Sequence, residues 1–296
     1  MKVSSITSKP KWLNIKSYPF RPHYTEIDGQ KMHFIDSQHG ASTAVMVHGT
    51  PTWSFVYRHL IKALSDNVRC IAPDHIGFGL SDKPVDYPYS AEKHSENFGK
   101  FVDKLGVEKF DLIVHDFGGP IGLNYAVNNP HRINRIICMN TWSFSMEEDP
   151  SFNKVKKVLR NPFLPFLYKQ FNFSAKYLLP KGYAKKKVLI PKVHAHYTAP
   201  FGLPKERMGT LGFAQSLLYE QEWFEEIWKK IEVISEKEIL FLWGMKDPFL
   251  GEYYFKKMKG AFINADYYTF ENSGHFVMEE EKEAINRKIW AFLSRE

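Results

Sequence analysis

Residues 112–123 read LIVHDFGGPIGL, and this stretch decides the fold. An apolar run ends at Asp116, two glycines follow at 118 and 119, and a second apolar run begins at Ile121. Small residues permit a sharp, closely packed turn from a buried strand into a helix, which is the layout of a nucleophile elbow. The pattern predicts that Asp116 stands as a nucleophile at the end of a strand. A carboxylate that only caps the helix is the alternative interpretation.

Strand signals and helical signals alternate on both sides of this unit. An Asp28-Gly29 pair between alternating apolar residues predicts a hairpin over 23–37. Such alternation is typical of an α/β fold with a mostly parallel sheet and helices on both faces. The predicted strands after the hairpin are 44–48, 68–74, 111–116, 133–140, 238–243 and 265–270, and the predicted helices include 57–64, 94–105 and 279–293.

The alternation stops between 142 and 236. Amphipathic segments at 152–159, 183–188 and 214–229 remain in this region, but prolines interrupt them. Because proline lacks a backbone donor and blocks helix continuation, several short helices are expected. We therefore predict an α/β core domain formed by 1–141 and 237–296, with a helical cap domain inserted at 142–236.

Composition favours a globular protein without export. The 44% of hydrophobic residues suffices for a buried sheet, and no apolar run approaches the roughly 20 residues of a membrane-spanning helix. Residues 1–20 alternate lysines with single apolar residues, unlike a signal peptide. The two cysteines, Cys70 and Cys138, fall in predicted buried strands, so we expect apolar core residues and no disulfide. A cytoplasmic location is the expectation.

The formal net charge of +7 comes from lysines spread along the chain, most densely between Lys154 and Lys192. A solvated surface is the expected role, with an acidic partner or a membrane surface as the alternative. No recognised nucleic-acid-binding motif accompanies the charge, so nucleic acid is not an expected partner. A homo-oligomeric state is left open.

Two later segments supply partners for the aspartate. Asp247 follows one predicted strand in the stretch 243–248, and His275 follows the next strand in the stretch 273–276. The order nucleophile, acid, histidine, each after a strand, is the α/β-hydrolase order. A turn carboxylate and a surface or core histidine are the alternatives. In the segment HGTPTWS, residues 48–54, a glycine lets the backbone approach the site, so the N–H groups of Thr50 and Phe117 are the predicted oxyanion hole.

On these segments the chain resembles the haloalkane dehalogenases of the α/β-hydrolase superfamily, and it borders enzymes resembling the β-lactone decarboxylases of long-chain olefin synthesis. The resemblance is closest to the subgroup whose triad acid follows the later strand, because Asn140 stands where the other subgroup carries a glutamate. It implies Asp116 as nucleophile, His275 as base, Asp247 as acid, and no metal or organic cofactor. The matching stretches are 48–58, 71–74, 77–84, 139–142, 243–247, 274–276 and the Asp116 elbow.

One position departs from that family. Dehalogenases carry a tryptophan after the nucleophile, whose indole N–H holds the departing halide, whereas Phe117 has no donor. Trp142, at the expected cap entrance, is a candidate substitute donor. Asn140 is a candidate substrate-binding residue and is expected to be a neutral neighbour of Asp247.

The mechanism that follows is covalent. Asp116 attacks an sp³ carbon to form an ester, and His275 activates the water that hydrolyses it. An apolar, small or long-chain substrate is expected, with 163–168 and 171–173 lining its pocket and halide as one product. Three alternatives remain: β-lactone opening, epoxide opening assisted by cap tyrosines, and a non-catalytic ligand-binding protein. The candidate tyrosines are Tyr168, Tyr177, Tyr183 and Tyr197.

Overall fold

An eight-stranded sheet forms the centre of the protein, seen in a computed structural model that describes residues 10–262 and 264–295. The sequence interpretation of residues 1–9 lies outside the described residues. The spatial order of the strands is β1-β2-β4-β3-β5-β6-β7-β8. The strands are β1 (His23–Ile27), β2 (Gln30–Asp36), β3 (Ser42–Val47), β4 (Val68–Pro73), β5 (Phe110–Asp116), β6 (Ile133–Thr141), β7 (Glu238–Gly244) and β8 (Asp266–Phe270).

Strand direction agrees with the sequence prediction. β1 and β2 pair antiparallel around Asp28 and Gly29, which have φ of 47° and 77° as a tight hairpin turn requires. β2 also pairs antiparallel with β4, and every later pairing in the sheet is parallel. Because β3, β5, β6, β7 and β8 run in one direction, the residues that follow them gather at one edge of the sheet.

Apolar residues cover both faces of the sheet, and helices pack on each. In β3 and β5, Val45 and Val114 face the apolar cluster that includes the helices 91–105, 118–128 and 252–261. Met46 and Ile113 face the opposite cluster, which includes the helices 58–64 and 282–293. Cys70 and Cys138 are buried free thiols in β4 and β6, as predicted. The core helices are α1 (Arg58–Leu64), α2 (Ala91–Leu105), α3 (Gly118–Asn128), α10 (Glu252–Ala261), α11 (Val277–Glu280) and α12 (Lys282–Leu293).

All regular secondary structure in the region 142–236 is helical, and this region, which the structure describes completely, contains no strand. A π-helix at Ser174–Leu178 leads into α6. Among the described residues, no helix is both long and apolar enough to cross a membrane. The α-helices here are α4 (Phe152–Leu159), α5 (Leu164–Phe171), α6 (Leu179–Gly182), α7 (Pro191–Thr198), α8 (Met208–Tyr219) and α9 (Gln221–Lys229).

Three predicted helices differ from those observed, and in two of them a glutamate carboxylate accepts a backbone N–H group from elsewhere in the chain. The predicted helix 183–188 is wrong except for a short 3₁₀ turn at Lys186–Val188, because Glu280 accepts the backbone N–H of Lys185 at 2.6 Å. Segment 214–229 breaks at Glu220, whose carboxylate accepts the N–H of Ala91 at 2.8 Å and so caps α2. The closing helix is divided at Glu281 into α11 and α12.

Candidate active site

Asp116 ends β5 in a strained conformation that the neighbouring small residues make possible. Its φ of 53° is unusual for a residue with a side chain, and this geometry turns the carboxylate out of the sheet. A Cβ at Gly49 would lie 2.0 Å from Asp116 Oδ1, so only glycine lets the β3 loop approach this closely. The Thr141 hydroxyl donates a hydrogen bond to the Asp116 carbonyl at 2.6 Å and holds the turn.

His275 stands between two carboxylates. Its Nδ1 lies 2.8 Å from Asp247 Oδ2, and its Nε2 lies 3.4 Å from Asp116 Oδ2. Its backbone is held on both sides, since the His275 N–H donates to the Gly182 carbonyl at 2.8 Å and the His275 carbonyl lies 2.9 Å from His115 Nε2. The fold therefore brings the three residues singled out in the sequence into one line across the ends of β5, β7 and β8.

The two carboxylates control the protonation of the histidine. Burial alone would lower the pKa of His275, but the charge of Asp247 and the hydrogen bonds to Asp116 and Asp247 raise it to about 10. Burial likewise opposes ionisation of Asp247, yet its ion pair with His275 keeps its pKa below the usual value. Together the two carboxylates favour the protonated form of His275 in the resting site.

Asn140 lies behind Asp247 rather than in the cavity wall. Its Nδ2 donates to Asp247 Oδ2 at 2.8 Å and its Oδ1 accepts the Gly244 N–H at 2.8 Å. The side chain is fully buried and does not line the cavity, so the assignment of Asn140 as a substrate contact is wrong. The amide instead orients the carboxylate that faces His275.

The β3 loop contributes a donor directed at the nucleophile. The Thr50 N–H donates to Asp116 Oδ1 at 2.7 Å, next to the Phe117 backbone at the start of α3. The Thr50 hydroxyl is a buried oxygen without a hydrogen-bond partner within residues 10–262 and 264–295. Thr50 and Phe117 both line the cavity, which is the position required of an oxyanion hole.

A cavity of about 450 Å³ opens over these residues. Leu164, Tyr168 and Phe173 line it, as predicted for the cap segment. The prediction is wrong for Phe163 and Phe166, which are exposed by 70% and 54%, because helical periodicity turns them away from the inward face of α5. The other apolar lining residues include Phe152, Val155, Val158, Leu178, Leu179, Ala214, Leu217 and Leu250.

Trp142 provides an unused donor in this apolar space. It is 1% exposed and lines the cavity, and its Nε1 has no hydrogen-bond partner within the described part of the chain. Its ring meets that of Phe117 edge-on, with centroids 4.8 Å apart. The indole of Trp142 therefore lies beside Phe117, the residue whose side chain has no hydrogen-bond donor.

Of the four cap tyrosines, only Tyr168 lines the cavity. Tyr177 is exposed, and the hydroxyl of Tyr197 donates to the buried Glu279. Tyr183 is buried away from the cavity against Phe276, with ring centroids 4.8 Å apart. Tyr254 of α10 also lines the cavity, but its hydroxyl donates to Asp149 Oδ2 at 3.0 Å. The described cap region therefore does not supply the two convergent tyrosines that assisted epoxide opening requires.

Phe249 was not anticipated from the sequence. Its ring packs edge-on against His275 at 5.5 Å, and its N–H donates to Asp247 Oδ1 at 2.8 Å. Its position two residues after Asp247 could have indicated this role, because the backbone of a loop can donate a hydrogen bond to a carboxylate two residues earlier.

Across the described residues, no group of three or more histidine, cysteine or acidic side chains is arranged to hold a metal ion.

A family model described as the alpha/beta hydrolase fold matches residues 45–282. The chain belongs to the α/β-hydrolase fold family. This α/β-hydrolase is 32% identical over 285 residues to a cis-3-alkyl-4-alkyloxetan-2-one decarboxylase from Shewanella oneidensis, covering 93% of this chain and 89% of that protein. It is 29% identical over 274 residues to haloalkane dehalogenase 2 of Mycobacterium tuberculosis, covering 92% and 94%.

A solved structure supports the same placement of this α/β-hydrolase. Haloalkane dehalogenase DatA from Agrobacterium tumefaciens C58 has a TM-score of 0.82 and 25% identity, with 93% of this chain and 96% of that chain covered. The predicted fold and the resemblance to both enzyme groups are thereby confirmed.

Proposed function

We propose that this protein is a hydrolase of the haloalkane dehalogenase type, which forms an ester between Asp116 and an apolar substrate. The observation that carries the proposal is the position of His275, 3.4 Å from Asp116 and 2.8 Å from Asp247 beneath an apolar cavity. A carboxylate needs no deprotonation before it attacks an sp³ carbon, whereas hydrolysis of the resulting ester needs a base at this distance. The haloalkane dehalogenase relatives support carbon–halide bonds as the substrate class.

In the first step an Asp116 oxygen bonds to the substrate carbon as the carbon–halide bond breaks and the halide leaves with the electron pair. The Trp142 N–H and the Thr50 hydroxyl, both unpartnered in the described structure, are the proposed halide donors. Esterification removes the charge of Asp116, which had raised the pKa of His275. His275 can then release a proton to water and become the neutral base that the second step needs.

In the second step His275 takes a proton from water, and the resulting hydroxide attacks the carbonyl carbon of the Asp116 ester. The N–H groups of Thr50 and Phe117 are the proposed donors to the oxyanion. On collapse the bond between the ester carbonyl carbon and the alkyl oxygen breaks, and the His275 imidazolium returns its proton to the departing alkoxide, which leaves as the alcohol. The regenerated Asp116 carboxyl group then releases its proton to water. Asp247 stabilises the imidazolium that forms, and Asn140 positions Asp247.

We assign residues 142–236 as the cap that closes the cavity. The buried free thiols support a cytoplasmic location.

A second candidate function is β-lactone decarboxylation, which the 32% identical relative and Phe117 both favour. Asp116 attacks the sp³ ring carbon that is bonded to the ring oxygen. The bond between this carbon and the ring oxygen breaks, and the former lactone group becomes a carboxylate on the substrate. Loss of CO₂ then expels the Asp116 carboxylate and gives an alkene without consuming water. Because the leaving group stays tethered to the substrate, this reaction needs no halide donor at position 117.

The covalent step is tested by intact mass measurement of the His275→Ala variant incubated with a bromoalkane. We expect a stable adduct of one alkyl group, whereas Asp116→Ala should show neither adduct nor turnover. An unchanged mass of His275→Ala, with a substrate that the wild type consumes, would refute the covalent mechanism. Wild-type protein that neither reacts with nor turns over any probe would indicate a ligand-binding protein.

The substrate class is tested by parallel rate measurements on bromoalkanes, a long-chain β-lactone and an aryl epoxide. Halide release faster than lactone consumption supports the first candidate. Activity confined to the lactone, with alkene as product, supports the second and excludes the first. The epoxide serves as the control substrate, since only Tyr168 of the four cap tyrosines lines the cavity.

A further inference from the structure

The positive charge of the chain is concentrated in one segment. Residues 150–205 contain 12 lysines and arginines and no aspartate or glutamate. The other 240 residues contain 28 basic and 33 acidic side chains, so a segment of charge +12 stands against −5 elsewhere. A charge asymmetry of this size orients a molecule toward an anionic surface. The local charge of +12 in this segment exceeds the net charge of +7 of the whole chain.

Nine of these twelve basic side chains are exposed, and four of the nine lie on α4, at its C-terminal end or in the π-helix. Lys154, Lys157, Arg160 and Lys176 make no ion pair with any described residue. By contrast, the nearby Lys156 pairs with Glu147. Lys154 and Lys157 lie on α4, Arg160 lies at its C-terminal end, and Lys176 lies in the π-helix. Residues of both elements also line the cavity.

Apolar side chains are exposed between these cations. Val155 and Val158 of α4 are exposed by 41% and 57%, although the Phe152 side chain of the same helix is buried. Phe163, Phe166 and Tyr177 project outward from the following turn, α5 and the π-helix. No described element covers them. We call these five apolar residues and the four basic residues named above the docking face.

Part of the docking face lies at the edge of the active-site cavity. Val155 and Val158 are exposed and also line the cavity, so they form its rim. Tyr177 packs against Phe173, a further lining residue, with ring centroids 5.8 Å apart. Phe249, which is 41% exposed, lies on the same cavity beside His275. An apolar path thus joins the outer surface to the catalytic residues.

We propose that the docking face binds the surface of an anionic lipid bilayer and turns the cavity mouth toward the acyl chains. Lysine and arginine bind anionic headgroups while their stems lie along apolar surface, and aromatic and aliphatic side chains between them enter the interface. Charge complementarity alone would also suit an acidic protein. Exposed apolar residues at the rim of an apolar cavity favour lipid, because a substrate soluble in the bilayer then enters without crossing water. Binding is measured without turnover, so the proposal does not depend on the function proposed above.

The test is co-sedimentation of the full chain with vesicles of phosphatidylcholine alone or of phosphatidylcholine and phosphatidylglycerol in equal amounts. A docking-face charge variant is compared with a core charge variant that loses the same number of exposed cations, and with a docking-face apolar variant. The charge variants are Lys154→Gln/Lys157→Gln/Arg160→Gln/Lys176→Gln and Lys104→Gln/Lys109→Gln/Lys256→Gln/Lys259→Gln, and the apolar variant is Phe163→Ser/Phe166→Ser.

We expect the wild type to bind the anionic vesicles in a manner that added salt weakens, and not to bind phosphatidylcholine alone. The docking-face charge variant should bind at least about tenfold less, the core charge variant should retain binding, and the apolar variant should lose part of it. All substituted residues are exposed and lie outside the catalytic machinery, and thermal unfolding checks that each variant is folded.

Equal losses in the two charge variants, or equal binding to both vesicle types, would overturn the proposal. Full binding by the apolar variant would also overturn it, because it would show an anion-binding surface of the kind that an acidic protein recognises. Loss confined to the two docking-face variants supports the bilayer.

Discussion

The replacement Phe117→Trp should convert a weak chloroalkane dehalogenase into a better one. Phe117 is 2% exposed, and its ring centroid lies 4.8 Å from that of Trp142 and 4.4 Å from that of Phe213. An indole at this position adds an N–H donor in the corner that already holds the unpartnered N–H of Trp142. A hydrogen bond to an anion contributes about 1.5–3 kcal/mol, which corresponds to roughly a ten- to hundredfold change in rate when it acts only in the transition state.

Two features of the site bear on that magnitude. The indole is larger than the phenyl ring, and overpacking costs about 1–3 kcal/mol in the free energy of unfolding. Phe117 borders the cavity of about 450 Å³, so the added ring has space on that side. We therefore expect the gain in rate to survive at a modest loss of thermal stability.

The assay is halide release from 1-chlorohexane and 1-bromohexane under saturating conditions. The gain should be larger for chloride, because chloride is the poorer leaving group and depends more on stabilisation as it departs. Phe117→Leu serves as the control, since it alters packing at the same position without adding a donor. A folded Phe117→Trp variant with unchanged kcat, or wild-type enzyme that already hydrolyses chloroalkanes efficiently, would refute the argument that Phe117 limits dehalogenation.

Two further predictions concern the same site. The raised pKa of His275 contributes stability that is fully present below its unfolded pKa of 6.5 and is lost as pH rises through about 10. Asp116→Asn removes one carboxylate that raises this pKa, so the pKa measured by NMR titration should fall and stability should be lost at lower pH; an unchanged titration would contradict the coupling. Trp142→Phe keeps the ring on Phe117 but removes the N–H, so bromoalkane turnover should drop about tenfold while β-lactone turnover changes little. Equal effects on both substrates would assign Trp142 a packing role.

The strands and the candidate triad were accessible from the sequence because each depends on local signals. β-branched runs predicted the buried strands, and Asp28-Gly29 predicted the hairpin turn, since these preferences act within a few residues. Asp116, Asp247 and His275 were recognised by their places after successive strands. Parallel strands carry such residues to the same edge of a sheet whatever the details of packing.

Helix ends in the cap region were harder to predict because they depend on distant side chains. Glu220 ends α8 while capping α2, and Glu280 holds Lys185 in a non-helical loop. A hydrophobic period marks which residues lie on one face of a helix. It carries no information on a carboxylate from elsewhere in the chain that competes for the backbone N–H groups.

By itself the sequence determined the α/β-hydrolase fold and singled out the candidate nucleophile, because periodicity, turn residues and residue order are local properties of the chain. Only the tertiary structure decided that Asn140 orients Asp247 outside the cavity and that Phe163 faces outward. It also decided that the Trp142 N–H, beside Phe117, has no hydrogen-bond partner among the described residues. Each of these depends on the direction of a side chain relative to elements far away in sequence. That direction is set by packing across the whole core, which no local pattern encodes.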